Sequence, residues 1–490
     1  MKRNTVILYH PKVDFEPYYP CYWAPLSILS VASPLVAQNK NVILLDGNLG
    51  DDEKDKSIIR ENLDNCICIG VSTMIGGRQL ERALNFAAFV KKLSPRMPIV
   101  FGGPLPTIIP ETLLLSPLVD FVVRGQGEKP FSDLVNAIKN GCEDQNIPGV
   151  TTSRGEINGS PIFLDKNQFP PYPWELLEIE RYIRQDKYLG KRVMNYVSSQ
   201  GCPYKCGYCN EVASFNCRWK SFSAHRMLNE IQELKKGYGL DGVKFYDSNF
   251  FVNPRRVLEF SEGLLRGDFR LSWGASSHPK GIIKLADNLG LIRSSGLNRL
   301  LIGMESGSQA SLDYISKGCT VEDNVITAEI CARHKIPATF TFIVGIPGVE
   351  DDIVPTLEFI LKIKRIWNEF DVKIHFYAPM PGTPLFGKAI ELGYKPPGTP
   401  EEWSRYDYYI AQTPWLNKGQ EKKVRMFDDF YCNFLFPPQW FIDLISRNIF
   451  SRTTYSLLRK LVGLRCKFHF YCFPYEMNWF RKITGKKVFD

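Results

Sequence analysis

The sequence predicts an α/β chain made of an open N-terminal sheet unit, a second unit forming a partial (β/α)6 barrel, and an aromatic-rich, helical C-terminal extension. Three observations carry this. Short apolar runs alternate with helical periodicities through residues 1–150. The same alternation resumes after a proline-rich break and yields six strand-like runs over about 190 residues. The composition then shifts, and roughly a quarter of residues 427–490 are Phe, Tyr or Trp, against 13% for the whole chain. A length of 490 residues is too great for one core. The expected division is 1–150, a linker at 151–190, a barrel unit at 191–400 and an extension at 401–490.

In the first unit the expected strands are Thr5 to Tyr9, Asn41 to Leu45, Cys66 to Val71, Pro98 to Phe101 and Asp120 to Val123. Each is a short apolar run of the kind a doubly covered parallel sheet buries. The clearest helix is Gln79 to Ser94, where Leu80, Ala83, Leu84, Ala87 and Val90 recur at helical spacing. Ligands of such sheets sit beyond the strands' carboxyl ends. Those ends carry Asp46-Gly47-Asn48, Ser72-Thr73, Gly102-Gly103-Pro104 and Arg124-Gly125-Gln126-Gly127-Glu128, which suit either close approach of backbone to a ligand or ordinary tight turns. No G-x-G-x-x-G fingerprint is present.

Phe169-Pro170-Pro171-Tyr172-Pro173-Trp174 excludes a helix interior or a central strand and marks the linker. Beyond it the expected strands are Asn195 to Ser198, Gly242 to Tyr246, Leu271 to Gly274, Arg299 to Ile302, Ala338 to Val344 and Lys373 to Tyr377. A barrel of this kind places its site at the strands' carboxyl ends.

With 44% hydrophobic and 23% charged residues, disorder is excluded as the default. The first residues lead straight into an apolar strand with no signal-peptide pattern, and no run reaches the roughly 18 apolar residues of a membrane span. The expected location is the cytoplasm, where 13 cysteines do not form a disulfide framework. Most, such as Cys66 and Cys68, are expected to be buried small hydrophobes. Of the formal charge of +9, about +7 falls within residues 421–490, so the basicity belongs to the tail and argues little for nucleic acid.

One cluster of cysteines calls for chemistry. Gly201-Cys202-Pro203-Tyr204-Lys205-Cys206-Gly207-Tyr208-Cys209-Asn210 follows the first barrel strand and spaces three thiolates as Cys-x3-Cys-x2-Cys. Soft thiolates suit an iron-sulfur cubane, and three ligands leave one of four irons open to a cofactor or substrate. The other arrangement these residues allow is a four-thiolate zinc site completed by Cys217.

The trio resembles the signature of the radical S-adenosylmethionine (SAM) superfamily, with Tyr208 at its aromatic position. Further matches follow the strands: Phe245-Tyr246-Asp247-Ser248-Asn249-Phe250, Ile302-Gly303-Met304-Glu305-Ser306-Gly307, Gly345-Ile346-Pro347-Gly348 and Pro381-Gly382-Thr383-Pro384. The resemblance implies that Cys202, Cys206 and Cys209 hold a [4Fe-4S] cluster. Its open iron would chelate SAM, whose reductive cleavage gives methionine and a 5'-deoxyadenosyl radical. Tyr208 is implied near the adenine, and Glu305, with Asp247 and Ser248, as contacts to SAM. No catalytic residue is assigned.

Residues 1–150 resemble the Rossmann-like cobalamin-binding domain that precedes the radical SAM domain in one subfamily. The stretches that carry this are Gly70-Val71-Ser72-Thr73, Gly102-Gly103-Pro104 and Val122-Val123-Arg124-Gly125-Gln126-Gly127-Glu128. Ser72, Thr73, Gly102, Gly103, Gly125, Gly127 and Glu128 are thereby implied as cobalamin contacts. D-x-H-x-x-G is absent, so cobalamin would bind without a protein histidine on cobalt, and Leu105 stands where many relatives have a histidine. The pairing implies methyl transfer from methylcobalamin to a substrate carbon radical, with an external one-electron reductant of flavodoxin or ferredoxin type.

Aromatics of the tail alternate with Arg452, Arg459, Lys460, Arg465 and Lys467. They suit a peripheral contact with an anionic membrane face, closure over a large apolar substrate, or a helical cap on the barrel. The layout is similar to the group containing the anaerobic magnesium-protoporphyrin IX monomethyl ester cyclase and the bacteriochlorophyllide methyltransferases. That resemblance implies methylation of an unactivated carbon in a large hydrophobic molecule, a tetrapyrrole or a hopanoid or other lipid. The second choice is an oxidative cyclase or ring-rearranging enzyme of tetrapyrrole or natural-product biosynthesis. An RNA-modifying enzyme or a non-catalytic binding protein ranks below both.

Overall fold

In a computed structural model the chain is described over residues 3–15, 19–20, 23–74, 76–142, 146–152, 159–267, 270–406, 413–437, 441–443, 449–471 and 474–478. Apolar runs such as Val6-Ile7-Leu8, at most 1% exposed, are buried on both faces and form a central sheet. Across that sheet the strands run Asn41–Asp46, Thr5–His10, Cys66–Ser72, Ile99–Gly102, Phe121–Val123 and Val150–Thr152. The first five are parallel and the sixth antiparallel. The chain order therefore reverses between Thr5–His10 and Cys66–Ser72, opening a crevice at their carboxyl ends.

Helices Leu26–Ala37 and Glu128–Lys139 cover one face of the sheet, through Ile28, Leu35, Phe131 and Val135. Arg78–Leu93 covers the other, burying Leu80, Ala83, Ala87 and Val90 completely as its 3.6-residue period requires. Cys66 and Cys68 are buried strand residues, and no disulfide joins the described cysteines.

The second sheet runs Asp371–Phe376, Ala338–Val344, Leu297–Glu305, Ser272–Ser277, Gly242–Phe245, Gly190–Tyr196 and Arg184–Asp186. Six strands are parallel and follow one another in chain order, giving a half-barrel, and Arg184–Asp186 adds an antiparallel edge. The first barrel strand starts earlier than expected. It pairs through Gly190 and Val193 with the edge strand, and Ser199–Gly201 instead forms a hairpin with Trp219–Ser221.

The proline-rich segment is a packed seam. Tyr172 is buried and its hydroxyl donates to the Val197 carbonyl at 3.1 Å, while Arg226 donates to the carbonyls of Phe169 and Pro170 at 2.6 and 2.8 Å. Tyr182 reaches back to Asp46 at 2.9 Å, and Asn195 exchanges hydrogen bonds with the backbone of Ala24. One apolar core is shared by the two sheet units, since Leu80, Phe101 and Leu105 cluster with Leu312, Ile346, Tyr377 and Trp403.

The tail divides its aromatics. Phe427, Phe430 and Tyr431 are 0% exposed and join the barrel core. On Ile449–Lys467 and just beyond, Leu457, Leu461, Leu464 and Phe468 are exposed at helical spacing. Trp440, one of the aromatics singled out in the sequence, lies outside the described residues. Among the described residues no helix is long and apolar enough to cross a membrane. Replacing Phe430 or Tyr431 by Ala removes a fully buried ring and is expected to cost about 3–5 kcal/mol. Phe468→Ala, at a site 68% exposed, is expected to change stability by about 0.5 kcal/mol or less. Unfolding followed by circular dichroism distinguishes the two; equal effects would reject the division.

Candidate active site between the two sheets

The cysteine loop is held from three sides. Gly201, at φ 78°, lies so close to the Arg218 carbonyl that a Cβ would come within 2.1 Å of it, so only glycine makes the turn into Cys202. Gly207 N–H donates to Ile315 O at 2.8 Å, and Gly207 O accepts from Leu385 N at 3.0 Å. Loops following the fourth and sixth parallel barrel strands therefore bracket the trio. Tyr204 stacks on His278 with centroids 3.7 Å apart and planes 12° from parallel. His278 Nδ1 accepts from Lys280 N, which makes Nε2 the donor to Lys317 O at 2.9 Å.

Burial pushes the thiols of Cys202 and Cys206 up and that of Cys209 to about 12. Iron binding at this loop must therefore displace protons. The nearby Lys317 ammonium opposes the shift at Cys206 and supplies positive charge beside a thiolate cluster. Helix Asn210–Phe215 separates Cys209 from Cys217, which sits at φ 58°. Among the described residues no three His, Cys, Asp or Glu side chains converge as ligands of a single metal ion do. The donor set fits a cubane, in which each thiolate meets a different iron, better than one zinc ion.

Beside the loop, Tyr208 OH donates to Glu305 Oε1 at 2.9 Å, and Lys317 Nζ reaches the same oxygen at 2.9 Å. Glu305 ends its strand at φ 63°, a left-handed conformation that a non-glycine residue adopts only when its surroundings enforce it. Asp247 lies elsewhere. It accepts from Ser198 N at 2.6 Å and from Ser199 Oγ at 2.7 Å, with Arg256 3.7 Å away, and props the end of the first barrel strand. Its neighbour Ser248 faces a cavity.

That cavity, of about 380 Å³, lies at the chain-order reversal and is lined by residues at the carboxyl ends of both sheets. Of the residues expected to meet cobalamin, Ser72, Gly102, Gly103, Gly125, Gly127 and Glu128 line it. Thr73 is fully buried behind them, where its carbonyl accepts from Leu105 N at 3.4 Å. Gly103 needs its absent side chain: at φ 102° a Cβ would lie 2.5 Å from Thr73 O. Leu105 turns into the core shared by the two units. From the barrel side come Asn195, Gln200, Glu211, Phe215, Tyr246 and Ser248. His10 Nδ1 and Glu128 Oε2, both on lining residues, are buried without a partner. Glycine-walled backbone with orphaned polar atoms fits a large cofactor bearing many hydrogen-bonding side chains.

Comparison with known proteins agrees with this arrangement. Residues 196–360 match the Radical SAM superfamily and residues 19–135 the B12 binding domain. The chain thus joins a B12 binding domain to a radical SAM domain, and its cofactors are a [4Fe-4S] cluster, SAM and cobalamin. It is an enzyme that draws on an external reductant and acts on a small molecule.

The chain is 25% identical over 448 residues to an uncharacterized methyltransferase of Pyrococcus horikoshii, covering 90% of this chain and 93% of the other. It is 28% identical over 377 residues to the anaerobic magnesium-protoporphyrin IX monomethyl ester cyclase of Synechocystis, covering 75% and 73%. The structure of the cobalamin-dependent SAM radical enzyme OxsB, with aqua-cobalamin and SAM bound, shares the fold at TM-score 0.71 and 17% identity, over 99% of this chain and 76% of that one.

Lys317, His278 and Lys166, whose ammonium lies 3.3 Å from Glu128, escaped the sequence reading, because nothing in their local sequence signals a site and only the folded contacts bring them there. His278 yields a pH dependence. Burial, with Lys317 nearby, lowers its pKa from 6.5 to about 3. A depressed pKa contributes stability that is present above the unfolded value of 6.5 and is lost as pH falls towards about 3. The melting temperature of the wild type should therefore fall more steeply over this range than that of His278→Asn. Parallel curves would reject the assignment.

Proposed function

We propose that the chain methylates an unactivated carbon of a large hydrophobic substrate. The observation that carries this reading is that the glycine-lined cavity at the carboxyl ends of both sheets extends to Ser199, Gln200 and Gly201, the residues that lead into the cysteine loop, and is largely apolar between them. When bound, the cofactors supply a 5'-deoxyadenosyl radical and a transferable methyl group.

The residues then have distinct tasks. Cys202, Cys206 and Cys209 hold the cluster, and Lys317 offsets its charge. Tyr208 and Lys317 fix Glu305, leaving its carboxylate poised to bind the amino group of SAM. Backbone at Ser72, Gly102, Gly103, Gly125 and Gly127 cradles cobalamin, with Glu128 beside it. Apolar surface from Trp23, Val13, Phe101 and Phe215 lines the cavity and suits a hydrophobic group.

Among the relatives are the ester cyclase above and the hopanoid C-3 methylase of Methylococcus capsulatus, 20% identical over 367 residues. They support a tetrapyrrole or a polycyclic lipid as the substrate class. The test uses the reconstituted enzyme with a reductant, trideuteromethyl SAM and each candidate in turn. A product carrying one trideuteromethyl group, with 5'-deoxyadenosine released and both lost in Cys206→Ala, is expected. Substrate-dependent 5'-deoxyadenosine and an oxidised product without label would establish the cyclase alternative.

The tail adds a membrane contact to this reading. Ile449–Lys467 carries five basic residues and no acidic one, and its exposed apolar stripe follows one helical face. Such a surface would bring the enzyme to substrates dissolved in a bilayer. Co-sedimentation with phosphatidylglycerol vesicles but not with phosphatidylcholine vesicles is expected, and Leu461→Glu with Leu464→Glu should abolish it. Equal recovery of wild type and variant would reject the contact.

A further inference from the structure

Glu128 begins helix Glu128–Lys139 on the cavity wall and is 1% exposed. Its two oxygens have opposite surroundings. On Oε1 converge the Ser30 hydroxyl at 2.6 Å, the Lys166 ammonium at 3.3 Å and the Gln200 amide at 3.4 Å. Oε2 is buried and has no partner. A buried acceptor left unpaired is destabilising, and such a cost is retained where a ligand relieves it.

The ligand group is constrained by charge. Lys166, itself 1% exposed and held over the Phe222 ring, neutralises the carboxylate, and together with Ser30 it keeps Glu128 ionised despite burial. A second cation at Oε2 would have no charge to meet. A neutral N–H or O–H donor suits the free oxygen, and the acetamide and propionamide groups around a corrin ring and the ribose of its nucleotide supply these. Of the three donors, Ser30 belongs to the first sheet unit, on helix Leu26–Ala37. Lys166 comes from the seam, and Gln200 from the hairpin Ser199–Gly201 that leads directly into Cys202.

We infer that Glu128 is a two-sided acceptor, with Oε1 tied to Ser30, Lys166 and Gln200 and Oε2 kept open for an amide or hydroxyl donor of cobalamin. Cofactor occupancy then bears on the cluster hairpin through Gln200. This rests on reading the cavity as the cobalamin site. Glu128 and Gln200 act here as positioning residues: neither is required to touch the reacting atoms.

Full-length protein carrying its cluster is titrated with hydroxocobalamin and followed by absorbance. Glu128→Gln turns the free acceptor into a donor, and the pair Glu128→Leu with Lys166→Met replaces the ion pair by apolar groups, an exchange that buried pairs often tolerate. Both are expected to weaken binding roughly tenfold or more, as loss of a charge-assisted hydrogen bond does, with iron content near wild type in both and the cofactor-free melting temperature near wild type in the double variant, which leaves no buried charge unpaired. Gln200→Leu should still take up cobalamin at saturating concentration. It should lose the slowing of chelator-driven iron release that cobalamin confers on the wild-type chain.

Wild-type affinity in either folded Glu128 variant overturns the acceptor role. Iron release that is insensitive to cobalamin in the wild type overturns the link to the hairpin. Failure of the wild type itself to bind hydroxocobalamin would sink the cavity reading and this inference together, which separates the two kinds of failure.

Discussion

The buried carboxylate of Asp247 is the support on which the site depends. Taking a charge out of water is costly unless every lone pair is met, and here backbone and hydroxyl donors from Ser198 and Ser199, with the Arg256 guanidinium alongside, meet it. These contacts fix the point at which the first barrel strand stops and the hairpin into Cys202 begins. From that fixed point the loop needs only a glycine turn and two backbone hydrogen bonds to place its thiols. Asp247 therefore serves the site from beneath, although its position in the sequence motif suggested a direct contact with SAM.

Much of the fold was legible because parallel strands covered on both faces must be almost wholly apolar. Val6-Ile7-Leu8 and Cys66-Ile67-Cys68-Ile69 advertise themselves as buried strands, and Ala338–Val344 has the expected limits. Elements at sheet edges were harder. Val150–Thr152 is short and rich in threonine, and Gly190-Lys191-Arg192 reads as a turn. Both are strands because a neighbouring strand supplies hydrogen bonds, which side-chain chemistry does not announce.

The site divides in the same way. Cysteine spacing is a local property and identified the cluster loop. Glycines at strand ends were legible as well, and of the seven residues expected to meet cobalamin all but Thr73 reach the cavity wall. The charges that complete the site were not legible: Lys317 meets Glu305 across 12 residues and Lys166 meets Glu128 across 38, in segments without a motif. Tail composition was informative about quantity and silent about orientation. Buried rings such as Phe430 and exposed ones such as Phe468 look alike in a sequence dense with both.

The shared core has a consequence for modular engineering. Leu80, Phe101 and Leu105 of the first sheet unit are buried partly by Leu312, Ile346 and Tyr377 of the second. Excision of the N-terminal unit would bare that apolar face, and grafting it onto a foreign barrel would demand a matching one. The two halves are thus committed to each other in shape, and exchange of substrate preference among such enzymes is better sought in the residues facing the cavity than in wholesale exchange of halves.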